Sequence, residues 1–329
     1  MTSPALARRP RTPALAHSPS GTARTPIRAA YAGTRTRDQG PETKDQRRDA
    51  GTVTQAMQQL EELTKMFADG PVALLTGAGI NTDSGIPDYR GTGAPVREPM
   101  SVQQFLADHH YRQRFWGGAR VGALRTRNIA PNEGHRATAR MEAAGQLSGV
   151  ITQNTDGLHA LAGSRDIAEL HGNGRVIRCI EHDHRWNLSE VLAWFDTANP
   201  GFADRNADAQ ITPDGDADVT DVEGVAVPVC PACGGMLRPN VVYFGEHVPY
   251  EVFTHAEEIL DGASALLVAG TSLAVNTGVR LVNRAERRDM PIAVINKGPT
   301  AIDMRPSVEV RIEGGTSQWL AALATRLGA

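Results

Sequence analysis

From residue 54 onward, hydrophobic and polar positions alternate between two patterns. Segments such as TQAMQQLEELTKMFADG repeat apolar residues at helical spacing, and PNEGHRATARMEAAG predicts a helix capped by Asn132. Between the helical segments lie short apolar runs that are typical of buried strands: VALLTG, GVITQN, SALLVAG and PIAVIN. Strands that alternate with helices predict an α/β fold with a doubly wound, parallel, Rossmann-like sheet.

Two stretches, residues 92–130 and 174–245, interrupt this alternation. We expect them to build a smaller inserted domain with helical and zinc-binding modules. Residues 51–91, 131–173 and 246–329 then form the Rossmann-like domain.

The first 50 residues have a different composition, rich in Pro, Ala, Thr and Arg, and the first acidic residue is Asp38. This predicts a disordered N-terminal tail. A transit peptide for mitochondrial import is the minor alternative, because repeated prolines would interrupt the amphipathic helix that such a peptide needs.

Composition and charge exclude several classes of protein. The formal net charge of −3 offers no general attraction to nucleic acid or anionic lipid, and no apolar run approaches ~18 residues. Three cysteines argue against a disulfide scaffold and for a reducing compartment. We therefore expect a cytoplasmic protein with neither nucleic acid nor membrane as a partner.

The segment TGAGINTDSGIPDYRG, residues 76–91, follows a predicted strand and contains closely spaced glycines. Such a loop can present backbone N–H groups to a phosphate. The dinucleotide fingerprint of dehydrogenases requires a third glycine where Thr82 stands, so hydride transfer is not favoured. The same loop carries polar side chains that a simple turn does not need: Asp83, Ser84, Asp88, Tyr89 and Arg90.

Polar residues also follow the other predicted strands. Asn154 ends GVITQN and Asp156 lies two residues further on, Thr271 follows SALLVAG, and Asn296 ends PIAVIN. Ligands of such sheets bind beyond the carboxyl ends of the strands, so these residues predict one extended nucleotide site. His171 follows DIAEL, where a histidine could act as a general base, although a lone histidine in a loop is more often a surface residue.

All three cysteines fall in the second interrupting stretch. Cys230 and Cys233 form one pair, and Cys179 is followed at the same spacing by His182. This predicts one structural zinc ion held by Cys179, His182, Cys230 and Cys233, with His184 as a possible substitute for His182.

Taken together, these segments resemble the sirtuins, the NAD-dependent protein deacylases. The motifs occur in order across residues 55–325: GAGI with SGIPDYRG, TQNTDGLH, ELHGN, CPACGG with LRPNVVYFGE, GTSL and VIN. The tyrosine of PDYR, the segment RQRFW and the segment INKGPT are closest to the class II branch.

The resemblance implies a protein-lysine deacylase that consumes NAD and releases nicotinamide and O-acyl-ADP-ribose. The alternative is a protein mono-ADP-ribosyltransferase that uses the same NAD site. The partners of the deacylase would be acyl-lysine proteins, and we expect the protein to be a monomer.

The resemblance also implies the roles of individual residues. His171 would be the general base, with Asn154 and Asp156 as the other catalytic residues. Val242, Phe244 and Gly245, in a strand VVYFGE, would bind the substrate peptide and its acyl group. The residues implied to bind NAD are Gly77, Ala78, Gly79, Ile80, Asp88, Tyr89, Arg90, Gln153, Asn154, Asp156, Gly270, Thr271, Ser272, Asn296, Lys297, Gly298 and Gly314.

Three positions depart from the family pattern. Thr155 replaces Ile or Val, Asn81 replaces Ser, and His182 replaces a zinc cysteine. The spacing of Tyr111 and Arg114 fits a pair that holds an acidic acyl group, but acetyl or a longer apolar group is the favoured substrate.

Overall fold

The computed structural model describes residues 44–87, 100–210 and 216–329, with side chains from residue 54 onward. Residues 1–43 of the predicted tail, and the predicted site residues Asp88, Tyr89 and Arg90, lie outside the described residues. The chain divides into two compact units, and the fold below is that of the larger, residues 49–329. The first helix begins at Lys44, within the stretch that the sequence predicts to be a tail.

In the described part of the chain, the strands form two sheets. They are β1 (Val72–Thr76), β2 (Leu147–Thr152), β3 (Ile167–Glu169), β4 (Gly172–Cys179), β5 (Arg185–Asn187), β6 (Leu237–Val241), β7 (Ala265–Ala269), β8 (Ile292–Asn296) and β9 (Val308–Glu313). The larger sheet has the order β3-β2-β1-β7-β8-β9, and every pairing in it is parallel. Strand order reverses between β1 and β7, so the switch point, where such sheets bind ligands, lies there. The predicted α/β class is confirmed.

The helices pack on both faces of this sheet or against the smaller one. They are α1 (Lys44–Lys65), α2 (Val102–Ala107), α3 (His109–Arg125), α4 (Glu133–Ala143), α5 (Leu158–Ala162), α6 (Leu188–Ala198), α7 (Phe202–Arg205), α8 (Tyr250–Asp261), α9 (Asn276–Glu286) and α10 (Thr316–Leu327), with short 3₁₀ turns at Ala78–Ile80 and Thr82–Ser84. Asn132 caps α4 as predicted, because its side chain accepts from the N–H groups of Gly134 and His135. Among the described residues, no helix is long and apolar enough to cross a membrane.

The core lies on both faces of the large sheet. Ala73 and Leu75 of β1 pack in the cluster that includes residues of α8 and α9, whereas Val72 and Leu74 pack in the cluster that includes residues of α4 and α10. Successive side chains of a strand point to opposite faces, so a strand covered on both sides must be apolar throughout. Full burial of each leucine contributes about 2 kcal/mol. This explains why β1 is apolar from Val72 to Leu75.

The smaller sheet is antiparallel, with the order β5-β4-β6. It has its own core, in which Trp116 of α3 packs with Ile177 of β4, Phe195 of α6 and Phe202 of α7. Side chains from both interrupting stretches therefore share one core. The predicted domain boundaries stay a prediction.

Candidate active site and metal centre

The glycines after β1 permit a close approach to the loop after β7. The Gly79 N–H donates to the Gly270 carbonyl at 2.8 Å, and a Cβ on Gly79 would lie 2.8 Å from the Gly270 Cα. A Cβ on Gly77 would lie 2.7 Å from the Cβ of Thr271. Ile80, which follows Gly79, is fully buried. The glycines therefore have a packing role, the contact between two loops, that the sequence alone does not reveal.

The residues after β2 join the same contact. The Gln153 amide donates to the Thr271 hydroxyl at 2.9 Å, and the Asn154 amide donates to the Gly77 carbonyl at 3.0 Å. Ser272 follows Thr271 at the end of β7. The ends of β2, β1 and β7 thus meet at the switch point, as the sequence predicts for a nucleotide site.

Asp156 is held by donors from three segments. Its Oδ2 accepts from the Asn81 amide at 2.6 Å, and its Oδ1 accepts from the Leu158 N–H at 2.8 Å. The Arg175 guanidinium donates to its backbone carbonyl at 2.6 Å. The sequence marks Asn81 only as a departure from a family pattern, so its contact with Asp156 is a finding of the structure.

His171 lies between β3 and β4 and is half-buried. Its backbone carbonyl accepts from the Val242 N–H at 2.9 Å, which ties it to the segment after β6. Burial lowers the pKa of His171, and a hydrogen bond with the Gln153 backbone only partly opposes this. The imidazole is therefore neutral at pH 7 and can accept a proton.

Two buried histidines lie behind the strand ends. The His159 Nε2 lies 3.0 Å from the Thr76 hydroxyl, which donates to the Thr152 hydroxyl at 2.9 Å, and Thr152 accepts from the Asn154 N–H at 3.1 Å. The ring of His135 lies 4.9 Å from the ring of His159. Burial lowers the pKa of His135 to about 4 and that of His159 to about 3, so both rings are neutral.

Asn132 supports the glycine loop as well as capping α4. Its amide donates to the Ile80 carbonyl at 2.6 Å and to the Ser84 hydroxyl at 3.0 Å. Its Oδ1 accepts from the Ser317 hydroxyl at 3.1 Å. The position of Asn132 before a helix predicts the cap, but the sequence does not reveal this second role, because the partners are far away along the chain.

The predicted residues after β8 and β9 also come together. The buried Asn296 amide donates to the carbonyls of Lys297 and Gly298, both at 3.0 Å. The Gly314 N–H donates to the Asn296 carbonyl at 3.3 Å. These residues extend the strand-end site beyond β7.

The predicted strand VVYFGE is wrong beyond its first residue. β6 ends at Val241, and the chain then turns, with the Glu246 N–H donating to the Tyr243 carbonyl at 3.0 Å. Gly245 has φ of +90°, a value that interrupts a strand. The ion pair between the buried Arg238 and Glu246, at 2.6 Å, fixes the turn.

This turn leaves Phe244 on the surface, with 57% of the residue exposed. The Phe244 carbonyl accepts from the Val102 N–H at 3.2 Å, next to an isolated parallel bridge between Phe244 and Ser101. This exposed aromatic ring, two residues after Val242, is suited to contact an apolar ligand.

A group of sulfur and nitrogen donors lies at the edge of the smaller core. The ligand atoms of Cys179, His184, Cys230 and Cys233 all lie within 4.8 Å of one another. The structure therefore places His184, and not His182, with the cysteines. The Cys179 N–H donates to the His184 carbonyl at 2.9 Å, which sets His184 opposite Cys179 across the turn between β4 and β5.

Three thiolates and an imidazole are the donor set of a structural zinc site. The Sγ atoms of Cys179 and Cys233 are 3.5 Å apart, and the Cys230 Sγ is 3.4 Å from the His184 Nδ1. The group is compatible with one zinc ion.

Residues 77–277 match the model of the Sir2 family. The chain belongs to the Sir2 family. It is 42% identical over 269 residues to NAD-dependent protein deacetylase 1 of Mycobacterium avium (strain 104), covering 81% of this chain and 95% of that protein. It is 44% identical over 254 residues to the NAD-dependent protein deacetylase of Xanthomonas axonopodis pv. citri (strain 306), covering 76% and 85%.

A solved structure of Sir2 with a p53 peptide and NAD+ has the same fold. It superposes on this chain with a TM-score of 0.65 at 26% identity, covering 82% of this chain and 98% of the other. The predicted membership of the sirtuins is confirmed.

Proposed function

We propose that this chain is an NAD-dependent protein-lysine deacylase, which consumes NAD and releases nicotinamide and O-acyl-ADP-ribose. The observation that carries the proposal is the meeting of Asn154 and Asp156 with the glycine loop at the switch point. His171 joins them through a hydrogen bond with the backbone of Gln153. The Sir2 relatives named NAD-dependent protein deacetylase support the same activity.

NAD supplies the ribose that receives the acyl group, with nicotinamide as the leaving group. His171, which is neutral because burial lowers its pKa, would take a proton from a ribose hydroxyl. Asn154 and Asp156 would hold the ribose and the nicotinamide amide. The residues around Gly77 and Gly79 would hold the diphosphate, and those around Asn296 the adenosine.

The acyl-lysine substrate would reach His171 along Val242, Phe244 and Gly245. An uncharged acyl group is the proposed substrate. The Arg114 guanidinium pairs with Asp218 at 3.5 Å, and the Tyr111 hydroxyl accepts from the Gln104 amide at 3.1 Å. An arginine paired with a carboxylate is a poor receptor for an acidic acyl group.

The zinc ion would be held by Cys179, His184, Cys230 and Cys233. It would stabilise the smaller sheet and take no part in acyl transfer, since a site with four protein ligands has no open position. The class II branch, a cytoplasmic location and a monomeric state stay predictions from the sequence.

The proposal is tested by mass spectrometry of the products formed from NAD and a panel of acyl-lysine peptides. We expect nicotinamide and O-acyl-ADP-ribose from the wild-type protein, and a rate lower by about 10²–10⁴-fold in His171→Ala. His255→Ala, which changes a partly exposed histidine on α8 that pairs with Asp166, is the matched control and should keep full activity.

Two results would contradict the proposal. Nicotinamide released only together with ADP-ribosylated protein would indicate the transferase instead. Intact NAD with every peptide would exclude both activities under these conditions.

A further inference from the structure

Asn81 is held firmly by its own backbone between the two 3₁₀ turns. Its N–H donates to the Ala78 carbonyl at 3.0 Å, and its carbonyl accepts from the N–H groups of Ser84 at 2.8 Å and Ile86 at 3.3 Å. The residue is only 3% exposed. The side chain therefore leaves the backbone from a fixed point inside the strand-end site.

The amide nitrogen of Asn81 is committed to Asp156. The two residues are 75 positions apart, and the Nδ2–Oδ2 distance is 2.6 Å. Hydrogen bonds to a carboxylate are stronger than those between neutral groups. Since the Leu158 N–H occupies Oδ1, the carboxylate is held at both oxygens before any ligand binds.

The amide oxygen of Asn81 is buried and has no hydrogen-bond partner among the described residues. The amide cannot gain one by flipping, because a flip would turn this oxygen toward the Asp156 carboxylate and set two acceptors against each other. A buried acceptor is stabilised only by an N–H or O–H donor.

We propose that Asn81 positions Asp156 and that its Oδ1, together with the Asp156 carboxylate, accepts the two N–H groups of the nicotinamide carboxamide. This inference rests on the proposed function, which brings that carboxamide to Asp156. A carboxamide NH₂ has two donors and meets two acceptors here. Nicotinic acid, whose carboxylate has no donor, would be rejected by the charge of Asp156.

Two variants separate the parts of this proposal. Asn81→Ser shortens the side chain by one bond, so it no longer spans the distance to Asp156. Asn81→Asp keeps the shape and the acceptor but replaces the donor, which sets two carboxylates together. Asn128→Ser, at an exposed asparagine between α3 and α4, is the matched control.

The experiment measures two quantities for each variant and for the wild-type protein. The first is the inhibition constant of nicotinamide in the deacylation assay. The second is the affinity for ADP-ribose, which has no carboxamide, by calorimetry. We expect the inhibition constant to rise about tenfold in Asn81→Ser and further in Asn81→Asp. ADP-ribose affinity should stay unchanged in both. Asn81→Asp, which matches the native volume, keeps the test open if the shorter variant does not fold.

An unchanged inhibition constant in both variants overturns the inference. So does an equal loss of ADP-ribose affinity, which would make Asn81 a support of the loop alone. If the wild-type protein consumes no NAD, the proposed function fails, and direct calorimetry of nicotinamide with ADP-ribose present still decides the role of Asn81.

Discussion

The strand-end site and the cysteine group are built in different ways. At the switch point, the loops after β1, β2 and β7 touch through backbone and amide contacts, such as Gly79 with Gly270 and Asn154 with Gly77. The cysteine group gathers four donor side chains at the edge of a three-stranded sheet. The ends of parallel strands position the first region, whereas the second brings together the donor set of a structural zinc site.

This difference separates chemistry from stability. Changes to catalytic side chains in the first region should lower activity and leave the fold intact. Changes to the donors of the second region should lower the free energy of unfolding, because metal binding contributes directly to folding.

The largest effect on stability is expected from His184→Ala. Loss of one of four ligands should release the zinc ion and lower the free energy of unfolding by about 4–5 kcal/mol or more. His182→Ala is the matched control, since His182 stacks on the His184 ring without belonging to the donor group. Metal content by mass spectrometry and urea unfolding check both variants.

The reverse result, with zinc retained in His184→Ala and lost in His182→Ala, would show that His182, the residue predicted from the spacing, is the zinc ligand. The sequence could place the metal site because every cysteine lies in one stretch. It could not choose the histidine, because both histidines lie close to Cys179 along the chain. Only the pairing of β4 with β5 decides which of them faces the thiols.

The parallel sheet was predictable for a physical reason. Strands such as β1 and β8 are covered on both faces, so their sequences are apolar up to the last residue and stand out against amphipathic helices. In the segment VVYFGE, by contrast, the residue pattern does not predict the structure. Its residues favour a strand, but Gly245 and the Arg238–Glu246 ion pair impose a turn.

The second prediction concerns the neutral histidines beneath the strand-end site. The pKa values of His135 and His159 in the folded protein, about 4 and about 3, lie below the ordinary value of 6.5. Between these values the unfolded chain binds more protons, so stability falls as the pH falls below 6.5. Each histidine should lower the free energy of unfolding by on the order of 2 kcal/mol at pH 5.

Urea unfolding at pH 8 and pH 5 measures this effect. His159→Gln keeps an N–H donor for Thr76 but cannot be protonated, so its stability should depend less on pH than that of the wild-type protein. His110→Ala, at an exposed histidine of α3, is the control variant. Equal slopes for His159→Gln and the wild-type protein would exclude His159 as a source of acid sensitivity.

The sequence does not predict the contacts between the loops. The bonds from Asn81 to Asp156 and from Asn132 to Ile80 join residues 75 and 52 positions apart. Hydrophobic periodicity predicts which residues end a strand, and parallel topology brings those ends together. Which amide meets which oxygen depends on turn geometry that periodicity does not encode.

The smallest effect is expected from Gly79→Ala, which tests whether the backbone contact between the loops holds the strand-end site. A Cβ at Gly79 would lie 2.8 Å from the Gly270 Cα and its carbonyl oxygen, and backbone cannot rotate away as a side chain can. We expect a loss of about 1–3 kcal/mol in the free energy of unfolding, with weaker ADP-ribose binding, because the loops must separate. Gly262→Ala is the matched control, since its nearest contact would be 3.6 Å and its φ is −78°. If both variants kept wild-type stability and ADP-ribose affinity, the comparison of the two regions would fail, since the close approach of the loops would not support the site.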